Sequence, residues 1–191
     1  MEERQISIDG ETYKLPPPYF VLATQNPIET QGTFPLPEAQ LDRFIMQITI
    51  GYPGKTSEAD VIQRFIANSP LDSLQPVISI EEWVEIQAAV AGVTIHRDLC
   101  EYIANLAAET RSHESVAIGV SPRASIQLAR AAQARAVMDG REFVKPEDIK
   151  YLVSVVWAHR LTMRGTARSE GRFAAISAVL AKVPVPTENI L

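Results

Sequence analysis

The feature that most constrains this chain is a change of hydrophobic period near Tyr52-Pro53-Gly54. Before it, apolar residues alternate with polar ones or run together in short blocks; after it they recur every three to four positions. A period of two belongs to strands and one of about 3.6 to helices. The chain therefore divides into an α/β part, residues 1–52, and a helical part, residues 53–191. In the first part, "RQISIDGETYKL" (4–15) alternates on each side of Asp9-Gly10, a dipeptide suited to the positive φ values of a type I′ turn, and predicts a hairpin. "YFVLAT" (19–24) is a continuous apolar run of the kind buried on both faces of an α/β sheet, and predicts a strand. A Gly-, Thr- and Pro-rich loop, a short helix around Glu38–Arg43 and a second strand at "FIMQITI" (44–50) follow. The second part predicts helices near 56–68, 80–90, 97–112, 122–139, 146–159 and 172–182. The expected fold class is mainly α.

With 191 residues, 46% of them hydrophobic, the chain can bury a real core in one or two domains. A net charge of −5 and no basic tract speak against nucleic acid or an anionic membrane as partner. No apolar run approaches the ~20 residues of a membrane span, and the polar, acidic N-terminus is unlike a secretory leader, so a cytoplasmic protein is expected. Cys100 cannot form an internal disulfide and, beside Leu99 and Ile103 on a helical face, is read as core. His96, His113 and His159 lack Cys or acidic neighbours at ligand spacing, so no metal site is expected.

"GYPGKT" at the period change ends like a phosphate loop. Aligned to Gly-x-x-x-x-Gly-Lys-Ser/Thr, however, the stretch from Thr49 to Thr56 has threonine in place of the first glycine. Pro53 also removes one of the amide donors that would surround a phosphate. An ATPase further needs an acidic residue at the end of another apolar strand to hold magnesium. "YFVLAT" ends in Thr24 and "YLVSVVWAHR" in His and Arg. The stretch is read as a connection between domains.

Three polar residues stand in unusual places. Asn26 follows the carboxyl end of the first predicted strand, where open α/β sheets hold ligands, although Asn-Pro is also a common turn starter. Arg43, in "PEAQLDRF", follows a proline-bounded helix; it could project toward a phosphoryl group on a neighbouring subunit, or pair with Asp42 or Glu38 at the surface. Arg123, in "GVSPRASIQLARA", falls in the first turn of a helix capped by Ser121, with Pro122 as its first residue. The helix dipole makes a cation there cost roughly 0.3–1 kcal/mol unless something negative compensates. Either a bound anion or a nearby carboxylate would do so.

"FVLATQNPIETQGTFPLPEAQLDRF", followed by "IGYP" and later by "SPRASIQLARAAQARAVMDGREFVKPEDI" and "HRL", resembles the MoxR group of AAA+ ATPases. The likeness spans nearly the whole chain and is most specific from Ala23 to Phe44. It implies that Asn26 is the sensor-1 residue that helps place the attacking water and that Arg43 is the arginine finger reaching the adjacent subunit's nucleotide. It implies equally that Arg123 is the sensor-2 arginine of the helical lid. The expected architecture is then the C-terminal helical lid of an AAA+ ATPase, preceded by a truncated α/β remnant comprising a hairpin and two strands. In the family the P-loop strand lies between those two strands, so they are not expected to be neighbours.

ATP and Mg2+ are implied for intact family members. Tight binding to this chain alone is not expected, since the P-loop and the acidic magnesium-binding strand are missing from it. The resemblance further implies remodelling or maturation of partner proteins, other subunits of an ATPase ring as partners, and a von Willebrand factor A domain protein as a further candidate. The chain alone is expected to be inactive. A competing reading is a stand-alone helical interaction module with vestigial ATPase residues. A small nucleotide-binding protein using "GYPGKT" ranks last.

Overall fold

The computed structural model describes residues 5–25, 36–67, 69–165 and 169–186. Asp9 and Gly10 take φ values of 52° and 87°, the pair a type I′ turn requires. The turn closes strands β1 (Gln5–Ile8) and β2 (Glu11–Lys14), antiparallel with Ile6 opposite Tyr13 and Ser7 opposite Thr12. The predicted hairpin is present.

The two further strands predicted in this part are not. Neither residues 19–25 nor 44–50 form a strand, and Phe20, Leu22, Ile48 and Ile50 stand exposed. A strand exists only when a neighbour accepts its ladder of backbone hydrogen bonds, and the described residues offer these runs none. Residues 44–50 are held instead by single bonds to the helical part, such as Gln47 N–H to the Val155 carbonyl at 2.9 Å. Between the two runs lies helix α1 (Glu38–Leu41), started by Pro37.

The helical part follows the predicted segments closely: α2 (Lys55–Ala67), α3 (Ile80–Gly92), α4 (Arg97–Ser112), α5 (Pro122–Met138), α6 (Pro146–Trp157) and α7 (Ser169–Lys182). Gly51 to Gly54 simply lead into α2, whose first turn is closed by Glu58 N–H to the Gly54 carbonyl. Ser79 and Glu82 form a reciprocal capping box at the start of α3. Neither α2 nor α3 contributes a buried side chain among the described residues.

The core lies on α4 to α7. Helix α4 turns Leu99, Tyr102, Ile103, Leu106 and Ala107 inward at helical spacing. Leu128, Ala132 and Ala136 of α5, Ile149, Val153 and Trp157 of α6 and Ile176 and Val179 of α7 meet them. Cys100 is exposed, which corrects its reading as core: the buried stripe of α4 is centred on Leu99, Tyr102 and Leu106, and residue 100 falls beyond its edge. Two short strands that the sequence did not announce, β3 (Val116–Ile118) and β4 (Thr162–Met163), pair antiparallel at one end.

Buried polar contacts fix how these helices meet. The Trp157 indole donates to the Ala124 carbonyl at 3.0 Å, tying α6 to the first turn of α5. Helix α5 is closed off, two residues past Met138, by Gly140, φ 68°, whose N–H reaches the Val137 carbonyl while Arg141 N–H reaches that of Ala136. This pair of bonds is a Schellman cap and calls for a left-handed residue. Asp148, nearly buried at the start of α6, accepts from Arg135, Arg141 and the Lys145 backbone N–H. That one carboxylate joins the end of α5, the loop and α6.

Candidate functional site

Proline at residue 37 starts α1, and the chain turns sharply after Leu41, so that Asp42 and Arg43 emerge on successive positions of one turn. They point to different surroundings. Arg43 is exposed and makes no ion pair with Glu38 or Asp42. The surface pairing that the sequence left open for it is therefore absent.

Asp42 faces the helical part. Its carboxylate accepts a hydrogen bond from the Ser121 hydroxyl at 3.2 Å, and Ser121 is also the N-cap of α5, accepting from Ala124 N–H at 3.3 Å. Arg123 Nη1 lies 3.8 Å from Asp42 Oδ2. Arg160 Nε lies 3.2 Å from Asp42 Oδ1. The negative group that an arginine in the first turn of α5 calls for is thus Asp42, placed where the dipole of α5 also favours it.

Arg160 belongs to a short 3₁₀ turn, Ala158–Arg160, at the end of α6, and only 1% of its side chain is exposed. Its Nη1 donates to the Val156 carbonyl at 2.6 Å, and its Nη2 donates to the carbonyls of Asp42 and Phe44 and to the Gln127 side chain. The Nε–H, though close to Asp42, is not aligned for a hydrogen bond. Burial pushes the Arg160 guanidinium down to about 10; Asp42 opposes that shift and Arg123 adds to it. A buried cation held this way depends on its carboxylate, because removing one partner leaves a charge without compensation.

His159 sits beside it, with Nε2 3.1 Å from the Phe44 carbonyl. As a donor to that carbonyl, Nε2 carries the proton, and the buried Nδ1 has no partner among the described residues. Burial, reinforced by Arg160, holds the His159 pKa below its ordinary value. Glu38, Asp42, Ser121, His159, Arg160 and Arg172 help to line a small cavity of about 140 Å³ between α1 and the helical part.

Of the three residues singled out in the sequence, the structure brings Arg123 to Asp42, next in the chain to Arg43. Asn26 lies outside the described residues. Asp42, His159 and Arg160 were missed as site residues. The signal available was their place inside "LDRF" and "HRL", the two short blocks quoted for the family likeness.

The fold and this junction define the class. Residues 1–46 match the family described as ATPases associated with various cellular activities (AAA), and residues 108–179 match the AAA lid domain. A crystal structure of a Cytophaga hutchinsonii protein assigned as an ATPase superposes with a TM-score of 0.86 at 37% identity, covering 97% of this chain and 60% of that one. Within that class the chain belongs to the MoxR-type AAA+ ATPases, corresponding to their C-terminal part. It is 36% identical to Chaperone MoxR1 of Mycobacterium tuberculosis over 200 residues, which cover 99% of this chain and 52% of that protein. It is 42% identical to YeaC of Bacillus subtilis over 191 residues, 99% of this chain and 60% of YeaC. The chain thus spans about half to three fifths of the length of these relatives. Among the described residues, no helix is long and apolar enough to cross a membrane.

Proposed function

We propose that these residues are the sensing and lid portion of a MoxR-type AAA+ subunit that couples ATP hydrolysis to remodelling of partner proteins. Residues 1–52 act as the end of the nucleotide-binding domain and residues 53–191 as the lid. Arg123 acts as sensor 2 toward the subunit's own nucleotide, Arg43 as the finger toward the neighbour's, and Asn26 as sensor 1. A von Willebrand factor A domain protein is a candidate partner.

The observation that carries this reading is the opposite disposition of two adjacent residues: Asp42 binds the lid, while Arg43 is exposed and has no ion pair among the described residues. An exposed arginine beside a braced turn is what a phosphoryl-stabilising group needs, since guanidinium charge and fork geometry match developing phosphate charge. Arg123, at the N-terminal end of α5, fits a phosphate oxygen for the same reason. When bound, ATP supplies the γ-phosphoryl group that is transferred to water. This chain's residues would orient and neutralise charge, and none of them is assigned to magnesium.

The test is phosphate release. The 191-residue chain by itself is expected to give none above buffer. A full-length chimera joining these residues to the remainder of YeaC is expected to turn over ATP, and Arg43→Ala to lower kcat by about 1,000-fold or more, the usual worth of an arginine finger. Turnover by the 191-residue chain alone, abolished by Arg43→Ala, would overturn the proposed inactivity. A chimera indifferent to Arg43→Ala and Arg123→Ala would favour an interaction module with inert ATPase residues.

A further inference from the structure

Asp42 has two roles open to it, as one more surface charge or as a mechanical link, and its surroundings decide between them. It is one residue from Arg43, and its carboxylate contacts three groups on the far side of the junction: the Ser121 hydroxyl, Arg123 and Arg160. Two of these are fixed. Ser121 caps α5, and Arg160 is buried, with its remaining N–H groups bonded to Val156, Phe44 and Gln127. Arg123 differs, since its side chain is 41% exposed and its separation of 3.8 Å is the longest of the three. Its hold on the carboxylate is weaker than that of the buried Arg160.

We propose that Asp42 is a positioning residue that couples Arg123 to Arg43. With Arg123 on the carboxylate, the charge of Asp42 is shared between two guanidinium groups. With Arg123 drawn away toward a phosphate, the carboxylate is left to Arg160 and the Ser121 hydroxyl. The turn that carries Arg43 hangs from that carboxylate and from the Asp42 and Phe44 carbonyls that Arg160 also holds. A change at Arg123 is therefore passed through one side chain to the residue proposed to serve the neighbouring subunit. This rests on the roles proposed above for Arg43 and Arg123, and it adds the physical connection between them.

The experiment has two arms. In the 191-residue chain, the Arg43 amide and Nε resonances are followed by NMR while Arg123 is changed to Gln. The resonances are expected to move when Asp42 is present and to stay in place in an Asp42→Asn background, which keeps the shape and loses the charge. Movement of the same size in both backgrounds overturns the coupling.

In the full-length chimera, Asp42→Asn is expected to lower kcat about 10- to 100-fold with KM within about twofold, the signature of a misplaced rather than a missing group. Asp42→Glu should recover part of the loss. In an Arg43→Ala background, Asp42→Asn should cost nothing further, because Asp42 acts through Arg43. Losses that multiply, or an unchanged kcat, overturn the inference while leaving the proposed function standing. A chimera whose turnover ignores Arg43→Ala and Arg123→Ala overturns both. Circular dichroism and melting of each variant separate these outcomes from unfolding.

Discussion

Phe20, Leu22 and Ile50 are 71%, 84% and 91% exposed, while Leu99, Leu106 and Trp157 are completely buried. Both sets are large and apolar, so composition does not separate them. What differs is how each segment satisfies its own backbone. Helices α4 to α6 close their hydrogen bonds internally and bring an apolar face ready-made to a neighbour. The runs at 19–25 and 44–50 need a paired strand before they can present a face at all, and the described residues supply none. The junction at Asp42 is where the second kind of segment is attached to the first.

Hydrogen exchange would show this contrast most strongly. Amides of α4, α5 and α6 should be protected by factors approaching global stability, and those of residues 19–25 should exchange nearly as fast as free peptide. Protection at 19–25 equal to that of α5 would break the comparison and point to a partner strand.

Next in size are substitutions of large apolar residues. Trp157→Ala removes the centre of the core and its bond to Ala124, and should cost about 3–5 kcal/mol in denaturant unfolding. Phe20→Ala should change stability by less than about 0.5 kcal/mol, as surface changes do. Asp42→Ala lies between them, at about 2–3 kcal/mol, because it strands the buried Arg160 without its carboxylate. A cost near zero would mean that Arg160 is held by its carbonyl partners alone.

Gly140→Ala should cost about 1–2 kcal/mol, the penalty for a Cβ in the left-handed region. The smallest effect is one of pH. The folded state lowers the His159 pKa, so the unfolded chain binds the proton more readily. Stability from this residue is complete above the ordinary histidine pKa and is lost as pH falls from there toward the lowered folded value. The urea midpoint should fall over that window in the unsubstituted chain and less in His159→Gln, with a parallel fall in both removing His159 as the cause.

Much of the helical part was legible because its signals are local. Ser121-Pro122 announced a helix start, and Asp9-Gly10 announced the hairpin. The strands at 19–24 and 44–50 were misread because apolar runs report a tendency to be covered and not the presence of a cover. Cys100 was misread for a related reason: its neighbours in sequence are core residues, but the packing around α4 sets how wide the buried stripe is.

The candidate site divides the same way. The first-turn position of Arg123 could be read from the sequence, as could its need for a negative partner. That the partner is Asp42, 79 residues before the Ser121 cap it also binds and 118 before Arg160, could not. The sequence by itself determined where helices begin and end, since caps, turns and a 3.6-residue period act within a few residues of chain. Only the tertiary structure decided which carboxylate meets the buried Arg160 and which arginine stays exposed. Those pairings depend on how helices pack, and packing joins positions that no local pattern relates.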